Sequence, residues 1–86
     1  MKQQFRKAFN ALKKIGCPVI EGYDDPDRFV ISAEDNFPVC WADYYQEFSG
    51  GQLDDFGVNN KINEILDKYG LFAEWINPGV LGVCEA

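Results

Sequence analysis

Asp24, Asp25 and Asp27 crowd into four positions, and Asp54 and Asp55 adjoin further along the chain. Clustered carboxylates supply the oxygen ligands that hard cations such as Ca²⁺ and Mg²⁺ take. The first group has the start of a calcium-loop spacing. Pro26 replaces a flexible position, however, and no glutamate follows at the EF-hand distance. Turn chemistry explains this group more simply: aspartates bond their own backbone two residues on, and Pro26 suits the second position of a turn. Asp54 and Asp55 follow Ser49-Gly50-Gly51 and read as a solvated loop. A metal site requires the two groups to converge, so these five are weak candidates, and no cofactor is expected.

A second cluster runs Asp43-Tyr44-Tyr45-Gln46-Glu47-Phe48, three aromatics and two acids in six residues beside flexible glycines. In a strand or a helix Tyr44 and Tyr45 point in different directions, so one is expected in the core and the other exposed. Exposed tyrosines suit protein interfaces, where a rigid apolar ring carries a polar tip. Trp41 and Trp75 pack most simply in the core or at a sheet edge, with an interface as the alternative. The candidate interface residues are Trp41, Tyr44, Tyr45 and Phe48.

Much chemistry is removed outright. The chain has no histidine, which excludes Ser-His-Asp and Cys-His nucleophilic sites and His-ligated zinc. Cys17, Cys40 and Cys84 are widely spaced, without C-x-x-C, and read as buried thiols of a cytosolic protein. No glycine-rich phosphate loop is present. The expectation is a protein that is not an enzyme.

Charge is segregated. Lys2, Arg6, Lys7, Lys13 and Lys14 fall in the first 16 residues with no acid among them, whereas residues 17–58 set Arg28 against ten carboxylates. A net charge of −6 repels nucleic acid at long range, so direct nucleic-acid binding is not expected. Lys2, Arg6 and Lys7 lie near a helix start, where the macrodipole disfavours cations, so an acidic partner is expected for them; the acidic middle of the same protein is the nearest source.

Those residues must be positioned by few elements. The 86 residues allow one domain, 1–86, and the apolar share of 47 % is that of a soluble globular protein. No stretch approaches the ~20 apolar residues of a membrane span, and no signal-type segment follows the first basic residues, so a cytoplasmic location is expected. Phe5, Ala8, Phe9, Leu12 and Ile15 form one helical stripe over 3–15, stopped at Gly16 and Pro18. Strands follow over 19–23 and 28–33, joined by the aspartate turn. Residues 34–58 read as irregular, with a possible short strand at 39–41. Ile62, Ile65, Leu66 and Tyr69 mark a second helix from about Asn60, capped by Asn59 or Asn60 and stopped by Gly70. Strands over 71–76 and 80–84 flank Asn77-Pro78-Gly79. Pro-Gly fits hairpin twist poorly, so a connection wider than two residues is expected.

The fold class is therefore α+β: two helices on an antiparallel sheet of about four strands, in the order α-β-β-(irregular)-α-β-β. An offset of 54 aligns Ala8, Leu12, Ile15 and Gly16 with Ile62, Leu66, Tyr69 and Gly70. Any helix followed by a hairpin gives this likeness; a two-fold pseudo-repeat, with four strands in one sheet under both helices, gives it too. Two Trp, four Tyr and seven Phe are a dense supply for so small a core, which points to self-association, most simply as a dimer. The expected function is a small accessory or protein-interaction chain of the kind phage and bacterial genomes hold in quantity. The alternatives are an acidic DNA mimic that inhibits a nucleic-acid enzyme, and a carboxylate-metal or small-ligand-binding domain.

Overall fold

A computed structural model describes residues 1–23, 25–34, 40–44, 53, 54 and 56–86. Helix α1 (Gln3–Lys14) turns Phe5, Ala8, Phe9 and Leu12 inward, as its three- and four-residue spacing requires. It ends where Gly16 takes φ 90°, a left-handed conformation that costs glycine nothing, so that the Cys17 N–H donates back to the Leu12 carbonyl at 3.0 Å. Strands β1 (Val19–Glu21) and β2 (Phe29–Ser32) then form a hairpin. Helix α2 (Asn60–Lys68) buries Ile62 and Leu66 and ends before Gly70 at φ 71°. Strands β3 (Leu71–Asn77) and β4 (Val80–Glu85) form the second hairpin.

The expected α+β class, two helices with one four-stranded antiparallel sheet, is the architecture observed. The strand order is β1-β2-β4-β3, every pair antiparallel. The hairpins therefore abut through their second strands, with Ile31 opposite Leu81 at the seam. This is the two-fold arrangement: the aligned residues Leu12 and Leu66 are both fully buried, and Gly16 and Gly70 both stop a helix. Both helices pack on one sheet face in a single core with Phe29, Ile31, Leu81 and Val83, and the rings of Phe5 and Phe9 meet Phe29 edge-on.

Two local expectations change. Only Pro78 and Gly79 separate β3 from β4, because the twist mismatch is absorbed by a register shift between Trp75 and Asn77 instead of a wider loop. The short strand expected at 39–41 falls partly outside the described residues; the pairing seen is a single bridge, Ala42 with Val58, flanked by Asn59 N–H to Trp41 O and Asp43 N–H to Gly57 O.

Two of the three early cations, Lys2 and Arg6, find acidic partners inside the chain, whereas among the described residues no ion pair takes up Lys7. Arg6 pairs with Glu21 of β1, Lys2 pairs with Glu85 of β4, and the N-terminal amine lies 3.6 Å from Asp27. Glu21 and Asp27 come from the acidic middle, as expected, while Glu85 does not. No described helix is long and apolar enough to cross a membrane.

Candidate interaction surfaces

The carboxylates singled out in the sequence act on their own backbone. Asp25 Oδ1 accepts the Asp27 N–H at 2.9 Å, and its Oδ2 lies 3.7 Å from Arg28. Asp54 organises the approach to α2: Oδ1 accepts from the Phe56 and Val58 N–H groups, and Oδ2 accepts from the Asn63 amide at 2.8 Å. Asp24 and Asp55 lie outside the described residues. Among the described residues, no three carboxylates or thiols gather around a point that could hold a metal ion. The cysteines are unbridged. Burial pushes the Cys17 thiol up to about 12. Burial, then the Asp43 carboxylate, raise Cys40.

The expected interface cluster divides. Trp41 is 6 % exposed and belongs to the core, so its ring is not open to a partner; residues 41–43 lie against 57–59, which carries the ring inward. Tyr44 is 45 % exposed and stands edge-on to Trp75, ring centres 5.4 Å apart. Tyr45 and Phe48 lie outside the described residues. Trp75 Nε1–H donates to the Phe56 carbonyl at 2.8 Å and ties that loop to β3, which leaves the Phe56 ring 73 % exposed. Sequence reasoning missed Phe56 and Phe72. The available signal was β3 itself: Leu71, Ala73 and Trp75 alternate with Phe72, Glu74 and Ile76, so both faces carry apolar groups, although helices cover only one.

The sheet face away from the two helices is the first surface. Directly paired residues share a face, so Ile20, Val30, Gly82 and Glu74 form one row across the sheet, opposite to the helix-facing Phe29, Ile31, Leu81 and Val83. Ile20, Phe72 and Ile76 stand exposed there. A Cβ on Gly82 would come within 3.0 Å of Ile76 Cγ1, so the isoleucine leans over the glycine. Arg28, Glu74 and Cys84 border the remaining depression of about 240 Å³, and Cys84 Sγ lies 3.8 Å from Glu74 Oε2.

The second surface runs along β3, an outer strand of the sheet that, among the described residues, pairs only with β4. A cavity of about 480 Å³ is lined by Phe72 and Glu74 from one face of β3, by Ala73 and Trp75 from the other, and by Phe56 and Asn63 opposite. Side chains from both faces of a strand can border one space only at its edge. A second depression of about 340 Å³ shares Phe72 and Asn63 and continues toward Glu64, Asp67 and Leu71. Together they form one groove with four carboxylates, Asp54, Glu64, Asp67 and Glu74, and no lysine or arginine among its described lining. Among the described residues, no backbone group outside β4 bonds to β3 between Phe72 and Ile76.

No protein-family model, no curated protein and no solved structure matches this chain, so a functional reading rests on these two surfaces.

Proposed function

We propose that this chain is a small non-enzymatic interaction protein that self-associates through the face of its sheet away from the helices. The observation that carries this reading is the set of apolar side chains on the side away from the helices, Ile20, Phe72 and Ile76, which stand exposed around Val30, itself buried at 1 % exposure. A second copy is the occupant that the charges favour. Arg28 and Glu74 border the same depression, so two copies related by a two-fold axis can set each arginine against the other's glutamate. Three unbridged cysteines suit a reducing cytoplasm.

Area limits the affinity. Four strands ~4.8 Å apart, each offering about five residues at ~3.3 Å, give a face of roughly 300 Å². A stable complex commonly buries about 800 Å² on each partner, so the dimer should dissociate at micromolar concentrations. Sedimentation equilibrium across that range tests the reading. Ile76→Lys should shift the protein to monomer without lowering its melting temperature, since Ile76 is exposed in the single chain. Arg28→Glu should weaken the dimer, and adding Glu74→Arg should restore it. A monomer at every concentration, or a dimer indifferent to Ile76→Lys, would remove this function.

A further inference from the structure

We propose that the groove along β3 takes an extended basic and apolar segment of a partner protein, added to the sheet as a fifth strand. This goes beyond self-association and uses the outer edge of β3 with the cavity beside it, a surface that shares Phe72 and Glu74 with the sheet face. The first argument is the free strand edge. Between Phe72 and Ile76, on the side away from β4, β3 presents backbone N–H and C=O groups that no described backbone group takes up. Such a row, roughly 16 Å long at ~3.3 Å per residue, is complementary to another strand and to little else.

The second argument is the cavity beside that edge. The space between Phe56 and Trp75 is apolar and open, and the Phe56 ring overhangs it on a loop fixed by Asp54 and by the Trp75 indole. An added strand sends alternate side chains to opposite faces, so every second residue can enter this space. The third argument is charge. Asp54, Glu64, Asp67 and Glu74 line the groove without any cation among its described lining, which favours lysine or arginine at the intervening positions.

The same charges disfavour a second copy here. Pairing β3 with its own copy about Glu74 sets glutamate against glutamate, and like charges directly opposite are destabilising. Helix α1 of a second copy is basic, but its apolar stripe is already buried in its own core and leaves nothing to fill the cavity.

The test uses the whole chain and synthetic peptides of alternating lysine and phenylalanine. In ¹⁵N-labelled protein, the peptide should shift the amides of Ala73 and Trp75 and slow their hydrogen exchange, because Phe72 and Glu74 alternate with them and already face β4. A glutamate-for-lysine peptide should not. Two further peptides carry N-methyl groups on alternate residues, one on the odd positions and one on the even. Only one set can face β3, so one peptide should lose binding and the other should keep it. Glu64→Lys combined with Asp67→Lys, both exposed on α2, should weaken binding by about tenfold or more. Equal binding of the two methylated peptides, indifference to peptide charge, or no β3 amide shift at millimolar peptide would each overturn the assignment. Because Ile76→Lys reports on dimer mass and the methylated peptides report on the strand edge, the failure of one reading is distinguishable from the failure of the other.

Discussion

Cys17 follows the turn that ends α1, in the core, and behaves as a small apolar side chain whose only charged form is the thiolate. In an unfolded chain a thiol ionises near its ordinary value of 9.0, whereas burial holds Cys17 protonated to about 12. Between those values the unfolded state binds fewer protons than the folded one. Stability from this group is therefore complete below about pH 9 and is lost as pH rises toward 12. Urea unfolding followed by tryptophan fluorescence should show a midpoint that holds from neutral pH to about pH 9 and falls above it. Cys17→Ala should cost about 1–2 kcal/mol near neutrality and show a shallower alkaline decline. Parallel declines in the two proteins would mean that Cys17 is not the group responsible.

At the scale of elements, Asn59 joins α2 to the segment before it. Its side-chain oxygen accepts the Lys61 N–H at 2.9 Å, and its amide donates to the Cys40 carbonyl at 3.0 Å. Asn59→Ala removes the helix cap and strands a carbonyl, with an expected loss of about 2 kcal/mol or more. Asn59→Ser keeps a neutral cap oxygen and loses the donor, so its stability in the same urea titration should fall between the two; equality with alanine would show that the cap contributes nothing. Asn59 was one of two cap residues legible in the sequence, because a short polar side chain directly before an apolar stripe suits only that position. Both helices and both hairpins were legible for similar local reasons: stripe spacing, glycine stops and turn residues. The register shift that fits Pro78-Gly79 to the hairpin was not, since it depends on the partner strand. Nor was the groove. Trp75 reads equally as core or sheet-edge packing, and Phe72 carries no signal of its own, until the order β1-β2-β4-β3 leaves β3 on the outside, and that order rests on pairing between distant parts of the chain. Trp41 and Tyr44, three residues apart, carried similar interface signals; only the pairing of 41–43 with 57–59 sends one inward and leaves the other exposed.

Across the whole molecule, the ion pairs that join α1 to the sheet lie at the surface. Pairs of this kind contribute about 0–1 kcal/mol each, so they orient the helix more than they hold it. The fold is held by the core that both halves share. Each hairpin closes between neighbours in the chain, but the seam brings Ile31 against Leu81, about fifty positions away. Contacts that close so long a loop are expected to form after the local ones, late on the folding path. Ile31→Val deletes one buried methylene at the seam and should cost about 1 kcal/mol. In stopped-flow experiments that loss should appear as faster unfolding with an almost unchanged refolding rate. If refolding slows by the full amount instead, the seam belongs to the folding nucleus. The near-dyad of the sheet thus carries a kinetic meaning: two separately formed halves meet last along the line that relates them, and the molecule comes apart first along that same line.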